Sequence, residues 1–345
     1  MILKELSDNQ SKYFIDTIQV YDAYRDAFEK NRSYRGGMHW KKSKGREYLF
    51  RSKDRYGNGK SLGPRSGDTE LILQEFQKNK NQVSKQFSDL KNRLKEQSRF
   101  CKAAKIQRVP RVVTKLLWLF EEQNILGRNL MVIGTNALYA YEAAAGVFFE
   151  QGIMATSDMD ILGDTRTKLV LIPRDQLPKT DFMDLLRKAD KSFEMMGKKS
   201  FRAVNKDGYM IDLLKPVPSM IFAREKKQIG GKGDLEAVEV MNLQWLLSSP
   251  KFSQIVIGDD GFPALMVVPD PRAFALHKLW LSSKEDRDPL KRRRDKHQGI
   301  AVAQLVLGYL PQYLFQQSEL MMFPADIVEK ATESIRKMQV PSDFE

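Results

Sequence analysis

The sequence predicts an α+β fold with a mixed central sheet, flanked by an N-terminal helical and β-hairpin region and by a C-terminal helical region. Between residues 129 and 225, short apolar runs of strand length alternate with helix-forming segments, which indicates a sheet covered by helices. Long charged helices precede this core, and a strand pair with further helices follows it. The predicted regions are 1–35 (N-terminal helix), 36–67 (basic β-hairpin), 68–128 (helical region), 129–225 (core) and 226–345 (strand pair and helical domain).

Composition limits the classes of protein to consider. The 345 residues carry 57 Lys and Arg against 44 Asp and Glu, a net charge of +13, so nucleic acid is the leading macromolecular partner. A basic protein without such a partner is the alternative. No apolar run approaches the ~20 residues that cross a bilayer, and the polar N-terminus is unlike a signal peptide. The single cysteine excludes an internal disulfide. We expect a cytoplasmic protein with no membrane contact.

Three helices are predicted before the core. Residues 8–30 carry apolar side chains at helical spacing, which is typical of a face that packs against a core. Residues 68–99 form a long charged helix with a narrow, heptad-like apolar seam. Residues 112–126 form the third helix, which Gly127 ends just before the core begins.

The segment between the first two helices is strongly basic. From Lys41 to Arg65 there are nine basic residues and two acids, and residues 56–60 predict a tight turn, so we expect a β-hairpin. Basic strands that also carry aromatic side chains suit a single-stranded nucleic acid, and a solvated hairpin with a half-buried aromatic face is an equal alternative. The candidate nucleic-acid-binding residues lie on or beside one predicted strand: Lys41, Lys42, Lys44, Arg46, Arg51 and Lys53.

An apolar strand and a helix meet at Gly134. Residues 130–133 have the length of a buried strand, and residues 137–145 predict a helix that Gly146 ends. A glycine at position 134 lets the backbone come close to a ligand, and Thr135 offers a hydroxyl. The free N–H groups at the start of a helix favour an anion, and we expect them to face a triphosphate.

Two strands carry the candidate catalytic acids. In residues 158–162, Asp158 and Asp160 share one strand face, ~7 Å apart, and can converge on one or two divalent ions. Asp212 stands alone in the apolar run 208–214, where an unpaired carboxylate has no structural reason to be. We predict that the three aspartates hold Mg²⁺ or Mn²⁺ and that Asp212 contacts the nucleophile's metal or accepts its proton. The other predicted elements are strands at 169–173, 201–204, 255–257 and 264–268, helices at 182–193 and after 270, and a loop at 229–233.

This order of motifs resembles the DNA polymerase β-like nucleotidyltransferase superfamily, which has an apolar strand, a Gly-Ser or Gly-Gly turn, a helix, Asp-x-Asp and a later Asp. Residues 134–142 look like those of a bacterial nucleotidyltransferase family, and residues 157–160 are also similar to the AbiEii/MenT toxin-type nucleotidyltransferases. The likeness runs from about residue 39 to about residue 306 and implies a polymerase β-like core that uses a nucleoside triphosphate, ATP among the candidates. Thr135 replaces the usual Ser or Gly, and the interval to Asp158 is longer than in minimal members.

The same resemblance implies further nucleotide-binding residues. Gly134, Thr135 and Asn136 match the turn, and in the C-terminal region Lys278 and Asp295 match a nucleotide-contacting lysine and the acid that orients the nucleotide. Arg272 is a weaker match. A surface position for Lys278 is the alternative. The basic run 291–294 is either a solvated helix face or a phosphate-binding group, and the three histidines lie too far apart in the sequence to predict a metal site.

Three functions from different classes follow. The first is an enzyme that adds a nucleoside monophosphate to RNA, possibly tRNA, and possibly as a toxin with an antitoxin-type protein partner. The second is an enzyme that modifies a protein or a small molecule in the same way. The third is a non-catalytic nucleic-acid-binding regulator on the same fold. The basic hairpin favours the first over the second, and the complete set of acids disfavours the third.

Overall fold

A computed structural model describes residues 3–54, 57–164, 181–197, 200–217 and 233–339. The helices are α1 (Asp8–Ser33), α2 (Gly67–Ala103), α3 (Arg111–Glu122), α4 (Leu138–Ala145), α5 (Gln151–Met154), α6 (Phe182–Ala189), α7 (Leu243–Ser248), α8 (Pro271–Ser282), α9 (Pro289–Tyr309) and α10 (Ala325–Gln339). The strands are β1 (Lys4–Glu5), β2 (Met38–Ser43), β3 (Arg46–Ser52), β4 (Gly59–Pro64), β5 (Leu130–Ile133), β6 (Val147–Phe148), β7 (Asp158–Gly163), β8 (Glu194–Met195), β9 (Arg202–Val204), β10 (Met210–Pro216), β11 (Val238–Val240), β12 (Lys251–Ile257) and β13 (Pro263–Pro269).

The central sheet has the strand order β5-β7-β10-β9-β8. Strands β7 and β10 run parallel, whereas β5 is antiparallel to β7 and β9 is antiparallel to β10. Strand β11 pairs in parallel with the last residues of β10, beyond the point where β9 ends. The sheet is therefore mixed, which confirms the α+β fold predicted from the alternation of strands and helices.

The two faces of this sheet differ in chemistry. Met159, Ile161, Ile211 and Leu213 are buried and join the main apolar core together with α3, α4 and α6. Because side chains alternate along a strand, the aspartates of β7 and β10 lie on the opposite face. That face is covered in part by a second apolar cluster from α7, α8 and α10. The acids thus lie where the sheet meets the C-terminal helices.

The C-terminal region is built from the β12–β13 hairpin and the packed helices α8 and α9, so the predicted strand pair is confirmed. Helix α8 begins with an Asp270 side chain that accepts a hydrogen bond from the Arg272 N–H, and Pro271 occupies its first turn. Within the described ranges, no helix is both long and apolar enough to cross a bilayer.

The basic segment forms three strands, so the prediction of a single hairpin is wrong in this respect. Strands β2, β3 and β4 form an antiparallel sheet between α1 and α2. The missed turn is Lys44-Gly45, which joins Ser43 to Arg46 with both turn residues at positive φ. Lysine rarely takes that conformation, so a lysine at position 44 does not predict a turn.

The extra turn changes where the six basic candidates lie. They do not share one strand: Lys41 and Lys42 lie on β2, Lys44 in the turn, Arg46 and Arg51 on β3, and Lys53 just after it. The helices predicted at 8–30, 68–99 and 112–126 are confirmed as α1, α2 and α3. The strand predicted at 169–173 and most of the loop at 229–233 lie outside the described residues.

Candidate active site

The turn after β5 is shaped by a carboxylate. Gly134 has φ +66°, and a Cβ at this position would overlap with Oδ2 of Asp160 and lie 3.1 Å from its Cγ. Strand pairing causes this approach, because Ile133 is the cross-strand partner of Asp160. The glycine at position 134 thus makes room for the side chain of a catalytic candidate, and the close approach of a ligand to this turn stays a prediction.

The register of the sheet brings the three predicted acids together. Asp212 on β10 is paired with Asp160 on β7, and Asp158 lies two residues before Asp160 on the same face. Burial, together with the negative charges of Asp158 and Asp212, raises the pKa of Asp160 to about 7, although Lys278 and Arg202 act in the opposite direction. The three carboxylates and two cations thus form one electrostatic cluster.

Asp212 differs from the other two acids because an arginine binds it. The Arg202 guanidinium donates from Nε to Oδ1 of Asp212 at 2.6 Å and from Nη2 to Oδ2 at 2.6 Å. Among the described residues, neither Asp158 nor Asp160 has a basic side chain within ion-pair distance, and Asp158 accepts a hydrogen bond from the Thr156 hydroxyl. Two carboxylates are therefore available to a cation, and the third is already paired.

The chemistry of these acids suits two of them to a divalent ion. Asp158 and Asp160 offer the oxygen donors that Mg²⁺ prefers, on one strand face and, among the described residues, with no basic side chain within ion-pair distance, so they fit a divalent ion. In the part of the chain that the structure describes, no three Asp, Glu, His or Cys side chains are grouped as a metal site. The metal-binding role of Asp212 stays a prediction.

The two residues after Gly134 are held by hydrogen bonds within the protein. Asn136 is 1% exposed, donates from Nδ2 to the Asp158 carbonyl at 2.6 Å and accepts from the Tyr209 hydroxyl at 3.4 Å. The Thr135 hydroxyl accepts from Arg294 at 3.0 Å and from Gln298 at 3.1 Å. Asn136 is thus placed to position the acidic strand, whereas two bonds accepted by Thr135 leave its single hydrogen free to point elsewhere.

Lys278 and Asp295 are brought together by the packing of α8 on α9. Lys278 Nζ donates to Oδ1 of Asp295 at 2.7 Å, and Arg287 Nε donates to Oδ2 at 2.9 Å. Asp295 is 2% exposed, and Lys278 is close enough to Asp160 to lower the pKa of that carboxyl. One buried carboxylate therefore holds two cations, and the first of them lies beside the acid cluster.

The structure places Arg272 in a different set of contacts. Its guanidinium is bound by the carboxylates of Asp270 and Glu319 and donates to the Leu314 carbonyl at 2.7 Å. These bonds tie the start of α8 to the segment before α10. Arg272 is buried and its ion pairs join two elements, so its contacts give no support to the predicted nucleotide-binding role.

The six predicted nucleic-acid-binding residues of the basic sheet fall into two groups, one residue bound within the protein and five exposed to solvent. Arg51 donates to the carbonyls of Arg35, Gly37 and Ser33 and stacks over Phe76 at 4.5 Å, so it holds the sheet to the helices. The others are exposed to solvent, namely Lys41, Lys42, Lys44, Arg46 and Lys53. Lys41 also lies over the Phe50 ring at 5.1 Å.

Several residues that complete the cluster escaped the sequence analysis. Arg202 was the most accessible of them, because the tight turn between the predicted strands at 201–204 and 208–214 implies an antiparallel pair that sets Arg202 opposite Asp212. Arg287 and Gln298 gave no such signal, since they reach the site only through the packing of α9.

A mixed sheet that carries clustered aspartates beside a glycine turn, with a held lysine on a neighbouring helix, defines a class of enzyme that transfers nucleotidyl groups. A family model described as Nucleotidyltransferase matches residues 111–322. The match spans more than half of the chain and contains the whole cluster, and the chain belongs to this nucleotidyltransferase family. It is therefore a transferase that uses a nucleoside triphosphate. No curated protein and no solved structure gave a significant match.

Proposed function

We propose that the protein transfers a nucleoside monophosphate from an NTP to a hydroxyl group of RNA, in a reaction that depends on Mg²⁺ or Mn²⁺. The observation that carries this proposal is the arrangement around Asp160. This carboxylate lies against Gly134, beside Asp158 and close to Lys278. Such a site combines donors for a divalent ion with a cation for phosphate, which are the two requirements for binding a metal–triphosphate complex.

Different residues of the site take different roles in nucleotidyl transfer. Asp158 and Asp160 would hold the divalent ion, which supplies charge neutralisation of the triphosphate when bound. Lys278 and Arg287, both oriented by Asp295, bind the phosphates and stabilise the negative charge that develops on pyrophosphate. The Thr135 hydroxyl, fixed by Arg294 and Gln298, donates its hydrogen to a phosphate oxygen.

The transfer itself is a displacement at the α-phosphate. The acceptor's hydroxyl oxygen bonds to the α-phosphorus, the bond from that phosphorus to the β-phosphate oxygen breaks, and pyrophosphate leaves. The hydroxyl proton passes through water to the solvent. Asp212 is a weak candidate for the base, because both of its oxygens accept hydrogen bonds from Arg202.

RNA is the acceptor that the charge distribution favours. The chain carries a net charge of +13, and the exposed lysines and arginine of β2 and β3 form a basic surface with aromatic side chains beside them. Membership in an enzyme family sets aside the non-catalytic regulator. Modification of a protein or a small molecule is the remaining alternative, and a toxin role with an antitoxin-type partner is a further proposal that growth after induced expression would test.

One labelling experiment tests the proposal. The purified protein is incubated with each labelled NTP, Mg²⁺ and total cellular RNA, and the labelled product is identified. Label in RNA is expected from the wild type, and Asp158→Asn and Asp160→Asn should each lower the rate by about a thousandfold or more. Asp207→Asn, an exposed acid on the turn before β10, is the matched control and should keep the wild-type rate. Wild-type rates in both active-site variants would overturn the assignment, and label in protein alone would identify the second class.

A further inference from the structure

The pairing of Asp212 with Arg202 is built into the sheet. The two residues are cross-strand partners of β10 and β9. The backbone of Arg202 is fixed by the Ser200 hydroxyl, which accepts from the Arg202 N–H at 3.0 Å and donates to the Arg202 carbonyl at 2.9 Å. The guanidinium also lies 5.5 Å from the Phe201 ring centre. These contacts together fix the position of Arg202 against Asp212.

Both oxygens of Asp212 accept a hydrogen bond from Arg202, so any other cation at Asp212 would lie beside the positive guanidinium. Two charge-assisted hydrogen bonds in fork geometry form the strongest common contact between a carboxylate and a side chain. Asp212 is 5% exposed, so an ion that displaced Arg202 would have to break this pair at a buried carboxylate. Asp158 and Asp160, by contrast, have no such partner among the described residues.

This division does not fit a set of three metal-binding acids. We infer that the site takes one divalent ion, at Asp158 and Asp160, and that the Arg202 guanidinium replaces a second ion as the positive charge beside Asp212. The inference rests on the proposed function. Arg202 is then a positioning residue that keeps Asp212 out of the metal's coordination, and about one third of its side chain stays exposed to solvent.

Manganese binding tests this without any turnover. Mn²⁺ binding to the full chain is measured by electron paramagnetic resonance and calorimetry, with a non-hydrolysable NTP analogue present. One Mn²⁺ per chain is expected, with affinity lost by tenfold or more in Asp160→Asn and changed by less than about threefold in Asp212→Asn. Arg202→Gln should free Asp212 and add a second, measurable site. Arg202→Lys, which cannot form the fork, should give an intermediate result and serves if Arg202→Gln unfolds.

Two results would overturn the inference. One is binding of two Mn²⁺ ions by the wild type, and the other is a loss of affinity in Asp212→Asn equal to that in Asp160→Asn. The circular dichroism spectrum and melting temperature of each variant show whether it is folded. The outcome is separable from that of the labelling experiment, because one bound Mn²⁺ without nucleotide transfer would contradict the proposed function alone, and transfer with two bound ions would contradict this inference alone.

Discussion

At the scale of single residues, Gly134 shows how a backbone position and a carboxylate determine each other. Its positive φ brings the chain past Asp160, and the absent side chain leaves space for the carboxylate. Gly146, which ends α4, has nearly the same conformation with φ +64°, yet a Cβ there would meet nothing within 4 Å. A side chain at either glycine would strain the backbone, but only at Gly134 would it also displace a carboxylate. Comparing substitutions at the two positions therefore separates these two effects.

We expect Gly134→Ala to lower nucleotide transfer by at least about a hundredfold, because the methyl group pushes Asp160 from its position. Gly146→Ala is the matched control. Both substitutions place an L-residue at positive φ and should each destabilise the protein by about 1–2 kcal/mol. Transfer rates and melting temperatures are measured for both variants. If both kept the same activity, the contact between Gly134 and Asp160 would have no catalytic meaning.

The pKa of Asp160 predicts an unusual dependence of stability on pH. Its pKa rises from 3.8 to about 7 in the folded protein, so the folded state binds a proton more tightly than the unfolded state between those values. The free energy of unfolding should consequently fall as pH rises through this window, and stay level above it. A shift of this size corresponds to about 4 kcal/mol, which partial exposure of the carboxylate reduces to about 1–2 kcal/mol.

Asp160→Asn removes this penalty. In the presence of a metal chelator, the variant should melt about 2–4 °C above the wild type at pH 8, and the difference should shrink progressively as the pH is lowered toward 4. Thermal melts at several pH values provide the measurement, and Asp207→Asn, an exposed acid, should show no such gain. A constant difference across the whole range would mean that Asp160 titrates normally.

Single residues were predictable where their signal was local. Asp158 and Asp160 stand out because they alternate with buried Met159 and Ile161 within one strand. Arg287 and Gln298 could not be found, because their meaning depends on where α9 packs and no local pattern encodes that. Asn136 was predicted to bind the nucleotide, and its burial and its bond to the Asp158 carbonyl favour a positioning role instead.

At the scale of elements, the α8–α9 pair forms the cationic side of the site. Gly299 lies one turn after Asp295, and a Cβ there would lie 2.9 Å from Cγ of Leu279 and 3.1 Å from the Ala275 carbonyl oxygen. The helices therefore pack closely at this point, which holds the Asp295 carboxylate within reach of Lys278. Because Asp295 is almost inaccessible to solvent, its ion pairs hold the long side chains of Lys278 and Arg287 in defined positions.

Removing either partner should weaken nucleotide binding. Lys278→Ala loses a contact between a charged donor and phosphate, and should weaken the binding of a non-hydrolysable NTP by about tenfold or more. Asp295→Asn should have a similar effect, because Lys278 and Arg287 are no longer oriented. Calorimetry gives the affinity, and Lys330→Ala, an exposed lysine on α10, is the control. Unchanged affinity in Lys278→Ala would leave Lys278 with only a structural role as the ion-pair partner of Asp295.

Elements were predicted well where hydrophobic periodicity was strong and less well where turns were short. The helices and the paired strands of the core followed from apolar spacing and from Gly and Pro signals. The sequence predicts one hairpin where the structure has a three-stranded sheet, because Lys44 adopts a positive φ that is uncommon for lysine. Arg272 was drawn into the site by similarity, whereas its ion pairs with Asp270 and Glu319 link two elements.

At the scale of the whole molecule, the matched family region begins at residue 111, so α1, α2 and the basic sheet lie outside it. They are joined to the catalytic core by specific contacts. The Tyr21 hydroxyl donates to Glu121 at 2.7 Å, Arg25 pairs with the same carboxylate, and Trp118 packs against Tyr21 and Tyr24. The sheet begins after the end of α1, about 18 Å along the helix from Tyr21. A structural role for the region before residue 111 would explain these contacts. It would not explain the exposed cations of the basic sheet.

The last prediction concerns those cations. If the sheet follows an RNA backbone, each phosphate contact releases condensed counterions, and the logarithm of affinity falls with the logarithm of salt concentration by about 0.7 per contact on a single strand. Changing Lys41, Lys42, Lys44 and Arg46 to Gln should flatten that slope by about 2–3. The control changes four exposed lysines elsewhere, Lys188, Lys191, Lys206 and Lys330, and removes the same total charge.

Affinity for RNA is measured by fluorescence anisotropy at several salt concentrations for the wild type and both variants. The sheet variant should lose affinity and slope together, while transfer to a short acceptor survives, because these side chains lie on a sheet separate from the one that carries the acids. The control should keep most of the slope, since a uniform loss of charge does not remove specific phosphate contacts. If both variants changed the slope equally, the basic sheet would have no special role. An unchanged slope in the sheet variant would leave the basic run at the start of α9, residues 291–294, as the next surface to substitute.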